Sequence, residues 1–583
     1  MTLAAEQGLH FGRDIVFTFG PLGYALQGVP EPPLAVATAL VNALLAAVAA
    51  IGMWTAVRGR GSPALRVLTV AAAVFFASNV TLDYVAAIGV AALLIRCGRD
   101  PRAAPLVGLG VGVVASIGLL SKYTLGIDAL AAGTAVWLVA AIRGPRRRRR
   151  ASLAGAAVGY GVTAAALAVA FGFSPAALAA YVRGAAAISN GYSAAMALPG
   201  PYMQVGVALA VAAAVLALGL IAAREGKPEA GVLVAVVTFF AWKHGFVRQD
   251  GHVLYFFGTM AVVAPLLGSV LRRGPAVAFG TVATTLAAVA FLWAQSSVLG
   301  RIPGFFDAGR IPRGVAFLLH PREIAARDAG ALDAALAPDR LPPEVVARIG
   351  TSTFDVLPWE TAIVRAEHLR WAPLPVFQSY VAYTPSLDRL DRDALIEHGA
   401  DYALFRYLSI DDRLPFADQP ATMTELLCRY SVAVPEVATR RGERYVLMRR
   451  RAGAHCERET LGHAVAPVLG VPIAVPPAGA PDAFVTASFA VRPTFFAGVR
   501  NAVWRAPALF LVVRFDDGSA IRWRVVAATL PDGVIVSASP LDTADAEPLL
   551  AGRPVRTVRS VTLDARPGSF TLDDVTFTRL RRR

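Results

Sequence analysis

The sequence predicts a mostly α-helical membrane domain followed by an extracytoplasmic α/β region and a C-terminal β-sandwich. Three observations carry this reading. Of the 583 residues, 56% are hydrophobic, and the mean hydropathy of +0.54 is too high for an ordinary soluble chain of this length. The apolarity is also confined. Residues 34–297 are a succession of Ala/Val/Leu runs, whereas 298–583 have the regular charges and prolines of a globular protein. Finally, basic residues gather at the ends of the apolar runs, as they do in cytoplasmic loops of membrane proteins.

Residues 1–33 read as an outer loop packed on the membrane surface. The stretch His10-Phe11-Gly12-Arg13-Asp14-Ile15-Val16-Phe17-Thr18-Phe19-Gly20-Pro21-Leu22-Gly23 is too polar to span and too apolar to lie free in water. Asp14 is the only carboxylate between Glu6 and Glu31. A spanning helix needs about 20 apolar residues. Runs at 34–57, 103–120, 124–142, 151–171, 204–223, 253–271 and 275–297, with a shorter one at 229–242, fit that requirement. Between Arg66 and Arg96 a hairpin broken at Asn79–Asp83 returns both flanking basic clusters to the cytoplasm, for about ten crossings in a domain over 34–297.

This topology places 58–66, 96–102, 143–150, 224–228 and 272–274 inside. It places 1–33, 79–83, 121–123, 172–203, 243–252 and everything after about 298 outside. The chain then starts outside, so an apolar helix upstream of Met1 is expected. The five arginines at 146–150 mark a cytoplasmic turn near anionic lipid heads. The net charge of +15 is therefore a topology signal, and no nucleic-acid partner is expected. Of three cysteines, Cys428 and Cys456 can pair if their half of the chain faces an oxidising compartment.

Four constellations can carry chemistry. In the first loop, Arg13 and Asp14 either form an ion pair that shapes the turn or offer Asp14 as a general base. In Trp242–His252, the alternation of Arg248, Asp250 and His252 points all three the same way along an extended backbone, with Lys243 nearby. These cations suit a phosphate; Asp plus His without a third ligand make a poor metal site. Lys122, between two apolar runs, either snorkels or contacts a phosphate. The 172–203 loop, with Tyr181, Arg183, Asn190 and Tyr192, fits an amphipathic surface helix ending in turn chemistry at Pro199, Pro201 and Tyr202. No Walker loop, dinucleotide fingerprint or nucleophile elbow is present, which argues against an ATP-driven pump or a nicotinamide enzyme.

In the outer half, helical patches at Arg322–Leu336 and Arg389–His398 and strand-like runs at Tyr402–Phe405 and Tyr445–Met448 predict an α/β region over 298–465. The aromatic and amide residues of Leu357–Glu360 and Pro375–Pro385 suit either packing or stacking on sugars. After a Pro/Ala/Gly-rich linker at 466–483, residues 484–583 alternate as strands, with a hairpin signal at Phe510–Phe515, Asp517-Gly518 and Ala520–Val526.

The architecture, with an acid in the first outer loop and an appended outer domain, resembles the GT-C superfamily of glycosyltransferases. The motifs Gly-Arg-Asp-Ile-Val-Phe-Thr-Phe-Gly-Pro-Leu-Gly, Arg-Gln-Asp-Gly-His and Phe-Gln-Ser-Tyr-Val-Ala-Tyr-Thr-Pro look like those of a group of uncharacterised bacterial multi-pass membrane proteins of this kind. The resemblance implies an inner-membrane enzyme that moves a sugar from a polyprenyl-linked donor to an outer-face acceptor, with no soluble cofactor. Asp14 matches the first-loop catalytic acid. Arg13, Lys122, Lys243, Arg248, Asp250 and His252 are the expected contacts to the carrier phosphate or sugar. The chain lacks the adjacent acidic pair of many members. A transporter or flippase, or a non-enzymatic envelope-assembly protein, is the alternative.

Overall fold

The protein is described by a computed structural model covering residues 1–27, 31–57, 63, 67, 104–143, 146–171, 174–268, 271, 274–299 and 310–583. The hairpin expected about Asn79–Asp83 lies outside the described residues. So do Cys97 and the basic positions Arg58, Arg60, Arg66, Arg96, Arg99, Arg102, Arg272 and Arg273. The chain forms two compact units. The first comprises Met1–Ala5, Thr18–Pro175 and Leu198–Ala329, and the second Glu6–Phe17, Ala176–Ala197 and Gly330–Arg583. The first loop is thus divided at Phe17, a partition that local sequence does not announce.

The first unit is helical. Its long apolar helices are Ala35–Val57, Ala104–Ser121, Tyr123–Arg143, Arg146–Phe171, Tyr202–Arg224, Pro228–Val247, Val253–Gly268 and Gly274–Leu299. Among the described residues, four stretches are long and apolar enough to cross a membrane: Leu153–Ala170, Tyr202–Arg224, Pro228–Val247 and Gly274–Val298. The run expected to be short at 229–242 is a full helix, because Pro228 fixes its first turn and Trp242 to Val247 continue it. Val253–Gly268 is buried at every position except Tyr255, as a helix at the centre of a bundle must be.

Small residues set how closely these helices approach. A Cβ on Gly155 would lie 2.2 Å from the Pro105 carbonyl oxygen, and one on Gly159 2.4 Å from that of Leu109. Gly112 is packed equally tightly, its Cβ position 2.3 Å from the Ala156 oxygen. Ala104–Ser121 and Arg146–Phe171 therefore meet backbone to backbone, the close packing that small residues permit between membrane helices.

The second unit contains three sheets. Strands β1 (Thr353–Leu357), β2 (Arg370–Trp371), β3 (Tyr402–Phe405), β4 (Tyr430–Ala438) and β5 (Arg444–Arg450) form one mixed sheet in the order β2-β1-β3-β5-β4. The parallel pairs β1–β2 and β1–β3 are joined through Ala362–Ala366 and Pro385–His398. The remaining strands are β6 (Cys456–His463), β7 (Ile473–Ala474), β8 (Ala483–Pro493), β9 (Leu509–Phe515), β10 (Ala520–Val525), β11 (Val534–Ile535), β12 (Val558–Ala565) and β13 (Phe570–Arg582). They make two four-stranded sheets, β10-β9-β12-β7 and β11-β8-β13-β6. Val485, Ala487 and Phe489 of one share a core with Leu511, Val513, Val561 and Leu563 of the other.

Two features bind the mixed sheet to this sandwich. Phe484, Ile535 and Leu580 share a second core with Leu357, Phe405, Leu426 and Val446, so the α/β region and the sandwich are one hydrophobic body. Cys428, at the end of Pro420–Arg429, forms a disulfide with Cys456 at the start of β6. Strands β6 and β7 also recruit residues that precede or lie within the linker expected at 466–483.

Candidate functional site

In the second unit, residues 6–17 pack on the helix Pro175–Met196 and on the 371–384 loop. Gly12 has φ of +91°, and a Cβ there would sit 2.4 Å from the Tyr181 backbone nitrogen. A Cβ on Gly184 would sit 2.5 Å from Val16 Cγ1. The Val16 amide donates to the Pro375 carbonyl at 2.7 Å, and Phe17 meets the Phe377 ring at 5.2 Å between centroids. The aromatics expected either to pack or to stack on sugars are engaged with one another. Trp359 meets Tyr380, Trp371 meets Phe377, and Tyr192 meets Tyr383.

The 371–384 loop is itself held by buried carboxylates. Asp355 accepts from the Leu374 amide and the Trp371 indole, and Asp391 accepts from the Val376 amide at 2.7 Å. Asp388 accepts from the amides of Ala421 and Thr422 and from the Thr422 hydroxyl. Asp388 and Asp391 lie three residues apart on the buried face of Pro385–His398, where a helix otherwise carries leucines.

On this base sits a tight turn that closes His10, Arg13 and Asp14 together. The Asp14 carboxylate accepts from Arg13 Nε at 2.7 Å, Arg13 Nη2 at 3.0 Å and the His10 amide at 2.9 Å, and lies 3.2 Å from His10 Nδ1. Partial burial works against its charge. The hydrogen bonds from Arg13 and from the His10 amide, with the Arg13 charge, nevertheless hold its pKa down to about 2. Its side chain remains 29% exposed and Arg13 72%. Asp14 is thus an anion at neutral pH, held in a bidentate fork by Arg13.

The first unit carries the other constellation. Residues 18–22 pair with the junction of two helices: Tyr123 N donates to Thr18 O, Gly20 N to Ser121 O and Leu22 N to Leu120 O. Lys122, at that junction, lies 5.3 Å from the centre of the Phe19 ring. It is within electrostatic range of His244 and of Asp128. His244 belongs to the last turn of Pro228–Val247, and its ring lies 5.6 Å from His252 and 4.6 Å from Tyr255.

After that helix, Arg248 Nε donates to Asp250 Oδ2 at 2.5 Å, and His252 Nδ1 lies 2.5 Å from Asp250 Oδ1. The intervening Gln249 is buried, and its amide donates to the Pro201 carbonyl and to Gln204. The alternation read from the sequence is therefore realised as side chains. Partial burial opposes the Asp250 charge, but the His252 hydrogen bond, the His252 charge and Arg248 drive its pKa below the usual carboxylate range.

Lys122, Arg248, Asp250 and His252 thus belong to one unit, together with half-buried Lys243 on the turn that carries His244. Asp14 and Arg13 belong to the other. Sequence reasoning missed three participants. Asp128 is a lone acid in an apolar helix, six residues beyond Lys122, and that isolation was the available signal. His244 was hidden inside a polar run, and Tyr255 inside an apolar one. Among the described residues no group of three or more His, Cys, Asp or Glu side chains is placed to hold a metal ion.

No protein-family model, no curated protein and no solved structure matches this chain.

Proposed function

We propose that this is an integral membrane glycosyltransferase of the inner membrane, with about ten crossings and with the second unit extracytoplasmic, that takes a polyprenyl-linked sugar as donor. The observation that carries the reading is the clustering of Lys122, His252 and Tyr255 about His244, with His252 tied through Asp250 to Arg248, at helix ends of an apolar, membrane-type unit. Ionisable groups are costly in such a setting and mark function there. Cations beside an apolar surface fit a ligand with an anionic head and a hydrocarbon tail. The Cys428–Cys456 disulfide supports an oxidising, extracytoplasmic setting for the second unit. The arginines opening Arg146–Phe171 sit at a helix N-terminus, where the helix dipole disfavours cations, so anionic lipid heads suit them.

In this reading Lys122 and Arg248 neutralise the carrier phosphate as it leaves with the electron pair of the broken C1–O bond. The acceptor hydroxyl forms the new bond to C1 with inversion and gives its proton to a general base, the role that the resemblance in the first loop assigns to Asp14. The test uses the purified full-length protein with polyprenyl phosphate as probe. Lys122→Ala and Arg248→Ala are each expected to weaken its binding about tenfold, which corresponds to about 1.4 kcal/mol. Asp14→Asn should bind the probe normally yet lose transfer from lipid-linked sugars extracted from a deletion strain. Normal transfer by a stable Asp14→Asn protein would remove the base role, and unchanged probe binding in both cation variants would remove the carrier site.

A further inference from the structure

The sandwich carries a helix that faces outward with the wrong chemistry for water. Phe495–Val503 joins β8 to β9 and is capped by Thr494, whose hydroxyl accepts from the Ala497 amide and donates to the Gly568 carbonyl. Ala497 is its buried contact with the sandwich. Phe495, Phe496, Val499 and Val503 are 78%, 80%, 46% and 58% exposed. At 100° per residue these four fall within an arc of about 100°, on the side of the helix away from Ala497. Two adjacent phenylalanines open to solvent forgo the stabilisation of burial, so such a face calls for a partner.

The surrounding charge selects that partner. No Asp or Glu occurs between Asp482 and Asp516, while Arg492, Arg500 and Arg505 all do. Arg500 and Arg505 both lie against the ring of Trp504, 5.8 and 4.6 Å from its centre. The neighbouring β12–β13 turn adds exposed Arg566, and the nearby acids Asp573, Asp574 and Asp564 are paired with Arg492, His463 and Arg522. An apolar wedge ringed by arginines and flanked by an indole is the pattern of an interfacial helix. A protein partner with an acidic rim is a weaker candidate, because this chain already carries helices able to cross a membrane.

We infer that Phe495–Val503 inserts into an anionic bilayer surface, with Phe495, Phe496 and Val499 in the acyl boundary and Arg492, Arg500 and Arg566 on lipid phosphates, while Arg505 stays buried under Trp504. The second unit then has its own lipid contact, separate from the apolar helices of the first.

The test is made on the full chain in proteoliposomes containing phosphatidylglycerol, in a Cys97→Ser background. An environment-sensitive fluorophore is placed at Phe496→Cys or, at the opposite end of β9–β10, at Ala520→Cys. The label at position 496 is expected to emit at shorter wavelength and to be quenched by doxyl-labelled lipids; the label at 520 is not. Replacing phosphatidylglycerol with phosphatidylcholine, or introducing Arg492→Glu with Arg500→Glu, should reduce the quenching severalfold. A water-like emission at 496 overturns the inference. A shielded label that lipid quenchers cannot reach also overturns it and assigns the face to a second copy or another protein.

Discussion

Gly12→Ala is expected to abolish function by displacing the turn that carries Asp14, with the Asp14 side chain itself unaltered. Gly12 has φ of +91°, which costs an L-residue about 1–2 kcal/mol, and the added Cβ would lie 2.4 Å from Tyr181 N and 2.8 Å from Ala177 O. Both obstacles are backbone atoms of a regular helix, so neither can rotate away. The turn must lift, which breaks the Val16–Pro375 hydrogen bond and the fit of Val16 over Gly184. Overpacking and backbone strain together set a loss of about 3 kcal/mol for the seating of residues 6–17.

Gly8 supplies the control. Its φ is +67° but nothing lies within 4 Å of its Cβ position, so Gly8→Asn, which tolerates that conformation, should change stability by less than about 0.5 kcal/mol. Complementation of a deletion strain and thermal unfolding of the purified variants read the two outcomes. If Gly12→Ala complements fully, the placement of the Asp14 turn is irrelevant to function.

What local sequence could show, and what it could not, follows from the range of the interactions. Strand β3 at Tyr402–Phe405 and the β9–β10 hairpin match the strand-like run and the hairpin signal read from the residues, because such local patterns need no knowledge of the partner. The eight apolar runs are helices for the same reason. Phe495–Val503 lies within the 484–583 stretch expected to alternate as strands and is instead a helix capped by Thr494. Asp388 and Asp391 look like a solvated helix face until the amides of Val376, Ala421 and Thr422 arrive from other segments. The site divides in the same way. The Arg248–Asp250–His252 alternation was legible, whereas the approach of Lys122 to His244 and the assignment of residues 6–17 to the second unit depend on long-range packing.

Those buried carboxylates make the second unit more stable in mild acid than at neutral pH. Burial raises Asp355 to about 7 and Asp388 and Asp418 to about 6, and it raises Asp391 well above its ordinary value, with the charges of Asp388 and Asp355 adding to the effect. A carboxyl whose folded pKa is raised keeps a proton that the unfolded chain releases above about pH 4, so its contribution is full below that point and is lost as pH rises through the folded value. Asp14, held down at about 2, acts oppositely and loses its contribution only as pH falls from about 4 toward 2.

Asp391 is the group to vary. Its Oδ1 accepts one hydrogen bond, from the Val376 amide, and its buried Oδ2 none, so that single bond is a small offset to the cost of ionising it. Above about pH 4, and until its raised folded pKa is passed, the wild type should lose up to about 1.4 kcal/mol per pH unit from this one group. Asp391→Asn keeps an oxygen for the Val376 amide and has no proton to lose, so its stability should fall less steeply, and the gap to wild type should move in its favour as pH rises. Asp391→Ala strands that amide and should cost about 1–3 kcal/mol at every pH. Chemical denaturation of the three proteins across this range decides the matter: parallel pH slopes for wild type and Asp391→Asn would mean that Asp391 is charged in the folded chain. The loop that receives Val16 would then rest on a buried anion rather than on a neutral acid.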